Sequence, residues 1–421
     1  MKNIKVAILG LGTVGGGVYR LIQNDRDEIE HKEGIRLEVK KVLAKQYAFD
    51  IPEAQKAQSI EEIVQDDEIS VVIELMGGVE PAKSFILAAL EKGKTVVSAN
   101  KHLIARHWSE IESVAKEHDA GFYFEASVGG GIPIILAVRD GLQANTITSI
   151  YSIINGTTNY ILTKMSEEGG SFDEVLAEAQ ALGYAEADPT SDVDGHDAAN
   201  KLSILASMAF HSKVPLDRVY CEGIRGITSE DIQNAQALGY AIKLLAIGKK
   251  DGTKVEARVH PTMIPLTHPL ASVRGSFNAV FLHGNNVDDL MFYGRGAGEM
   301  PTASAVVSDI IYAANLTSHR YSTFKNDYPL PSELQFEDNW LSAFYLRMQV
   351  EDKPGVLSQI AGIMSKYDVS ISSVIQKGSG DNATILFITH TARENSVKNA
   401  IVEIKQLESV MEVANIIRVE D

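Results

Sequence analysis

Sulfur chemistry is nearly absent from this chain. Its 421 residues include one cysteine, Cys221, so neither an internal disulfide nor a cysteine-based zinc cluster is available. Positive charge is also scarce: 39 Lys and Arg stand against 56 Asp and Glu, a net charge of -17. Nucleic acids and anionic membranes both demand clustered basic residues, so neither is expected as a partner. No apolar run approaches the ~18 residues that cross a bilayer. A strand is expected from about Ile4, which leaves no room for a signal peptide, and the expectation is a soluble, cytoplasmic protein. Internal repeats and low-complexity tracts are missing too. What remains is ordinary globular composition, 45% hydrophobic and 23% charged, with core enough for roughly two to three domains.

The first third alternates strand and helix. Lys5–Leu9, Arg36–Ala44, Val71–Leu75, Thr95–Ser98 and Phe122–Glu125 read as strands, with helical spacing at Val18–Ile22 and Pro81–Lys92. Alternation of this kind implies crossover connections and a parallel sheet. The middle is mixed: strands at Ser149–Ile154, Val255–Ile264 and Asn278–Leu282, helices at Phe172–Leu182, Asp197–Phe210 and Thr302–Asn315. A polar stretch with Pro329 and Pro331 reads as a linker, and the order strand, helix, strand, strand, helix, strand beyond it is ferredoxin-like. The fold class is therefore α/β, divided into a nucleotide-binding domain (1–130), an α+β substrate and dimerisation domain (131–320), a linker (321–342) and a C-terminal module (343–421).

Gly10-Leu-Gly12-Thr13-Val14-Gly15 directly follows a strand and opens a helix. The first glycine permits the tight turn, the second lets backbone N–H groups approach a pyrophosphate, and the third lets helix and sheet pack closely. An NAD-preferring site has an acid at the end of the second strand. Here the strand ends Val42-Leu43-Ala44-Lys45. Lys45 can pair with a 2′-phosphate or stand solvated, which leans modestly toward NADP over NAD. Ser98 and Lys101 in Ser98-Ala-Asn-Lys101 sit at the carboxyl edge of a buried strand, where ligands of open α/β sheets bind, although a surface lysine would look the same.

The run Ala185–Lys201 carries Glu186, Asp188, Asp192, Asp194 and Asp197, and its spacing does not match a calcium loop. Asp197 and Lys201 lie four apart, and Leu205 and Met208 continue their stripe toward the interior. The pair is either a surface ion pair worth ~0.3–0.5 kcal/mol or the border of a pocket. A desolvated lysine there exchanges protons near neutral pH. In Asn155-Gly156-Thr157-Thr158, backbone amides and the Thr157 hydroxyl could hold a carboxylate. Gly298 closes Gly294-Arg-Gly296-Ala-Gly298 before another helix; turns of these last two kinds are more often structural than functional.

Together the motifs GLGTVGGGV (10–18), SANK (98–101), EASVGGGIPI (125–134), NGTTNY (155–160), EADPTSDVDGHDAANKLSILA (186–206) and GRGAGEMPTASAVVSDI (294–310) resemble the homoserine dehydrogenases that carry a C-terminal ACT domain, across essentially the whole chain. The resemblance implies reversible NAD(P)-linked interconversion of L-aspartate 4-semialdehyde and L-homoserine, within threonine, methionine and isoleucine biosynthesis. It makes Lys201 the proton-transferring lysine, Lys101 a second lysine acting on the oxygen, Glu186 the partner of the substrate ammonium, and Asp197 the substrate anchor. It makes Thr13, Val14, Lys101 and Gly298 cofactor contacts. It also places a monovalent cation, usually sodium, on Glu125 and the carbonyls of Val128, Gly130 and Ile132. A glycine-rich hinge would need nearly the same residues.

One departure is Glu299, where the family most often has glycine. Asp352-Lys-Pro-Gly355 resembles the ACT effector loop, which implies L-threonine as a feedback ligand, and the family's pairing implies a homodimer or homotetramer. Two other classes bear on the same residues. An acylating semialdehyde dehydrogenase needs an activated thiolate, and Val219-Tyr-Cys221-Glu222 offers no adjacent base or oxyanion turn. A non-catalytic amino acid sensor on the same scaffold would not need Asp197 and Lys201 on one stripe.

Overall fold

A computed structural model describes residues 2–316 and 331–420. The chain divides into two compact units, both discontinuous in sequence: 1–150 with 200–218 and 278–334, and 151–199 with 219–277 and 335–421.

In the first unit, β1 (Lys2–Leu11) is buried on both faces through Val6, Ala7, Ile8 and Leu9, as a central parallel strand must be. It leads through the glycine turn into α1 (Thr13–Asn24). β2 (Ile35–Tyr47), β3 (Ile69–Glu74), β4 (Thr95–Ser98) and β5 (Phe122–Tyr123) complete a five-stranded sheet in the order β2-β1-β3-β4-β5, parallel at each pairing. The strand order reverses beside β1, so the crevice of the fold opens at the carboxyl ends of β1 and β3. α2 (Ala82–Glu91) and α3 (Lys101–Glu117) follow β3 and β4.

α4 (His196–Ala209) contributes its residues from Asn200 onward to this unit. α5 (Glu299–Asn315) packs Ala303, Val306, Val307 and Ile310 into the same core as Val18 and Ile22 of α1. The helices meet closely at Gly17, where a Cβ would lie 3.2 Å from that of Ala303. The expected strand near Asn278 is Phe277–Gly284, and it pairs with Asp288–Arg295.

The second unit is built on a sheet that joins the middle of the chain to its C-terminal module. β6 is Tyr220–Cys221, β7 Tyr240–Asp251, β8 Lys254–Pro265 and β9 Gln335–Phe336. β10 is Leu341–Glu351, β11 Ile371–Ser379, β12 Asn382–Thr389 and β13 Val410–Val419. The order is β7-β8-β13-β10-β12-β11. One edge of β8 takes β7 antiparallel along its whole length, while the other takes β9, β6 and β13 in turn, all parallel.

The ferredoxin-like order holds, with helices Val356–Lys366 and Glu394–Ile404 covering a core of Phe344, Leu346, Ile360, Phe387 and Ile401. The compact units cut across the expected domains. Residues 131–320 are shared between the two units, and the module at 343–421 belongs to the second. The expected linker, 321–342, lies outside the described residues as far as 330. Beyond that it is structured: Pro331–Glu333 is a helical turn, β9 pairs with β8, and β10 has begun by Leu341.

Candidate active site

The glycine turn has the shape a pyrophosphate requires. Gly10 has φ +94°, and a Cβ there would sit 2.7 Å from the Leu75 carbonyl; at Gly15 it would overlap the Gly10 carbonyl oxygen. At Gly12, by contrast, a Cβ would meet nothing within 4 Å. Gly12 caps α1 with no side chain, so the dipole end of the helix and its first amides are backbone-only, as anion binding prefers. Thr13 is exposed and Val14 half-buried on the same turn. Lys45 is exposed near the end of β2, and β2 carries no acid after Glu38.

Gly298, φ +118°, caps α5. The unexpected Glu299 does not stand toward the nucleotide turn uncompensated: its Oε1 accepts from Nε and Nη2 of Arg20 on α1. Arg20 in turn lies over the Phe49 ring, 5.1 Å from its centroid.

Ser98 ends β4 in register with Glu74 at the end of β3. Both are fully buried, and the Ser98 hydroxyl donates to Glu74 Oε2 at 2.7 Å, while the Met76 amide donates to Oε1 at 2.8 Å. Burial raises the Glu74 carboxyl above its usual range. The Asn100 amide donates back to Ser98 Oγ at 3.0 Å, and the Asn100 side chain caps α3 by accepting from Leu103 N. Lys101 is thus the first residue of a helix whose start is fixed on three sides. Arg106, one turn further, donates to Asn200 Oδ1 at 3.1 Å. The helix bearing Lys101 is thereby tied to α4 next to Lys201. Lys201 is 8% exposed and Asp197 3% exposed, which excludes a solvated surface pair.

The second unit holds the other expected substrate residues. Asn155 caps the helix Gly156–Glu167 through Thr158 N. Its Nδ2 donates both to Asp192 Oδ1 at 2.7 Å and to Asp197 Oδ2 at 2.9 Å. The Thr157 hydroxyl donates to the Tyr184 carbonyl at 2.7 Å and to Asp192 Oδ2 at 3.1 Å, so it serves this network and does not stand open as an anion cradle. Gly156 is half-buried beside it, and Glu186 is exposed, its carbonyl accepting from Gln180. Asn155 and Asp192 were not singled out as site residues from sequence; the acidic run signalled Asp192, but nothing local distinguished it from Asp188 or Asp194.

Glu125 is buried with both oxygens engaged, accepting from Ile135 N at 2.9 Å and Leu136 N at 2.6 Å. Its own amide donates to Asp309 of α5 at 2.7 Å. Burial, and for Glu125 the nearby Asp309 charge, push both carboxyls well above the usual range. Val128, Gly130 and Ile132 are buried on the following loop, where Gly130 (φ +56°) abuts Gly296. Among the described residues no three His, Cys, Asp or Glu side chains converge on a metal position. Paired buried acids beside a glycine-bent loop do suit a hard monovalent cation held partly by carbonyls.

In the C-terminal module, Asp352–Gly355 borders a cleft of about 340 Å³ also lined by Val350, Leu357, Gln376 and Ile385. Gln376 donates to Asp352 Oδ1 at 3.0 Å, and Gly355 has φ +96°. No helix among the described residues is long and apolar enough to cross a membrane.

Three family descriptions match the chain: "Homoserine dehydrogenase, NAD binding domain" over residues 10–125, "Homoserine dehydrogenase" over 133–311, and "ACT domain" over 344–409. The homoserine dehydrogenase of Bacillus subtilis (strain 168) is 43% identical over 433 residues, covering 100% of this chain and 99% of that one. A crystal structure of a homoserine dehydrogenase from Thiobacillus denitrificans superposes with TM-score 0.92 at 40% identity, covering 100% of this chain and 99% of that one. A hyperthermophilic archaeal homoserine dehydrogenase in complex with NADPH matches 76% of this chain and 100% of its own, with TM-score 0.63 and 30% identity.

Proposed function

The chain belongs to the homoserine dehydrogenase family, and from that premise we propose how its residues carry the reaction. It is an oxidoreductase acting on a CH–OH group, with a nucleotide-binding domain and an ACT domain. The reaction is the reversible reduction of L-aspartate 4-semialdehyde to L-homoserine. A nicotinamide cofactor, when bound, supplies the hydride to the aldehyde carbon. The C=O π pair moves onto oxygen, and a proton must reach that oxygen to leave the alcohol. Lys201 delivers this proton, and Lys101 donates a hydrogen bond that polarises the carbonyl and stabilises the developing alkoxide. Asp197 anchors the substrate, and Glu186 receives its ammonium group.

The observation that supports this reading best is the tie between α3 and α4, Arg106 to Asn200, which fixes the Lys101 and Lys201 helices against each other. The glycine turn, Thr13, Val14, Ser98 and Gly298 hold the cofactor, and the end of β2, lacking an acid and carrying Lys45, favours NADP over NAD. Glu125 with the carbonyls of Val128, Gly130 and Ile132 holds sodium, and Asp309 adds charge to that site. The cleft at Asp352–Gly355 takes L-threonine as a feedback ligand, in a homodimer or homotetramer.

The test is the rate of NADP and, separately, NAD reduction with L-homoserine at mildly alkaline pH, with and without L-threonine. Turnover faster with NADP and suppressed by threonine is expected. Equal rates would remove the role given to Lys45, and indifference to threonine would remove the effector. No turnover with either cofactor in folded protein would overturn the catalytic roles and revive the sensor, which family membership otherwise disfavours.

A further inference from the structure

Within the second unit, a chain of direct contacts runs from the C-terminal module to the acid that anchors the substrate. It starts at Arg418 on β13, 4% exposed. One edge of its guanidinium is held by Glu394, at the start of the module's second helix: Nε donates to Oε2 at 3.2 Å and Nη2 to Oε1 at 2.5 Å. The other edge crosses to β6, where Nη1 donates to Glu222 and Nη2 to the Tyr220 hydroxyl at 3.1 Å. Tyr220 closes the triangle by donating to Glu222 at 2.8 Å. A planar, forked cation bound on both edges fixes Glu222 relative to the module in a way a flexible ammonium would not.

From Glu222 the contact continues through backbone. At Gly223 a side chain would overlap the Val193 carbonyl, so the two segments touch main chain to main chain. Ile224 N donates to Val193 O at 2.8 Å, Cys221 Sγ to Asp194 O at 3.3 Å, and Arg225 Nε to Asp194 Oδ1 at 2.5 Å. Close-packed contacts of this kind pass a displacement on with little slack. The neighbouring Asp192 accepts from Asn155, and the same Asn155 amide nitrogen holds Asp197.

We propose that Arg418 and Glu222 are positioning residues for substrate binding: through residues 220–225 and 192–194 they set the Asn155 grip on Asp197. The C-terminal module is then a part of the substrate site's scaffold, and what happens in it reads out as substrate affinity. The proposal rests on Asp197 being the substrate anchor.

The experiment uses the full chain with Glu222→Gln, Arg418→Lys, Asp197→Asn and, as a control in the same cluster, Lys398→Ala. Lys398 pairs with Glu394 at 3.2 Å and lies over the Tyr220 ring, 5.4 Å from its centroid, and its removal leaves the Arg418 bonds to Glu394 and Glu222 in place. For each variant KM for L-homoserine, kcat, the Kd of NADPH by fluorescence and the melting temperature are measured. Glu222→Gln and Arg418→Lys are expected to raise KM about tenfold, within the usual range of coupling between sites, with NADPH affinity unchanged. Lys398→Ala should leave KM alone. Combining Glu222→Gln with Asp192→Asn should add nothing to KM beyond the larger single effect, because both break one path.

A lower melting temperature with unaltered KM in Glu222→Gln would make the cluster merely structural and overturn the proposal, as would a parallel loss of NADPH affinity. Should Arg418→Lys fail to fold, Glu222→Gln, half-exposed at its carboxylate, decides alone. Unaltered KM in Asp197→Asn would overturn the substrate reading itself. Raised KM there beside unaltered KM in Glu222→Gln would overturn only the positioning.

Discussion

Buried ionisable groups are the recurring theme among the individual side chains. Glu125 and Asp309 share a buried pocket, and both hold their protons to higher pH than an unfolded carboxyl would. An acid whose folded pKa is raised binds more protons native than unfolded, so stability falls as pH rises from the unfolded value, about 4, through the folded values of about 7 and about 8. A bound cation replaces the proton and should cancel that loss. Urea unfolding at several pH values, in sodium and in a bulky organic cation, is expected to show the decline only in the latter. Glu125→Gln should lessen the decline in the organic cation, leaving the share that burial of Asp309 contributes.

Lys201 is the other residue on which most depends. Lys201→Ala should lower kcat by about 10²–10⁴-fold, the usual contribution of a placed proton donor, while fluorescence titration finds NADPH affinity nearly intact. An equal loss of cofactor affinity would mean the lysine is structural. Lys101, Asp197, Lys201 and Glu125 were nominated by the sequence, Asp197 and Lys201 through their spacing and Lys101 and Glu125 through the family resemblance. Glu74, Asn155 and Asp309 were not, because what gives each its role is a partner brought by the fold: Glu74 meets Ser98 24 residues on, and Asp309 meets Glu125 across 184.

At the level of single elements, the glycine turn separates two roles that sequence runs together. Gly15 faces the Gly10 carbonyl and has no room for a methyl, whereas Gly12 faces open space at φ -76°. Gly12→Ala should therefore leave the melting temperature unchanged and weaken NADPH binding at least tenfold, since only the ligand fills that space; loss of both would place Gly12 in the fold instead. Gly15→Ala should lower both. The parallel strands of the first unit were readable because strands buried on both faces are near-continuous apolar runs. β7, Tyr240–Asp251, went unassigned although it is buried over most of its length. Lys243 interrupts its apolar run, and its ammonium is accepted there by Asn159 Oδ1 and the Val273 carbonyl, 84 and 30 residues away. Contacts that distant leave no local pattern.

Across the whole molecule, the sequence order of domains is not the order of compact bodies. The ferredoxin-like module was legible in its six elements, yet its union with the middle of the chain was not. That union is made by side chains such as Arg347, 6% exposed, which donates to Asp231 Oδ1 at 2.7 Å and Oδ2 at 3.1 Å. Arg347→Ala leaves the buried Asp231 carboxylate without its cation, held only by hydrogen bonds from Thr228, Asn415 and Tyr345, and should destabilise the second unit by about 3 kcal/mol in urea unfolding. A loss below about 1 kcal/mol would mean that the module is only loosely attached.

The pairing of β13 with β8 at Thr262 and Met263 bears on how the protein is made. A ribosome releases residues 410–419 roughly 150 residues after β8 has emerged, and at about 5–20 residues per second that stretch of strand edge waits many seconds for its neighbour. During that interval it offers open backbone groups to any other nascent chain. Newly synthesised protein should accordingly depend on chaperones far more than its finished, closed sheet would suggest.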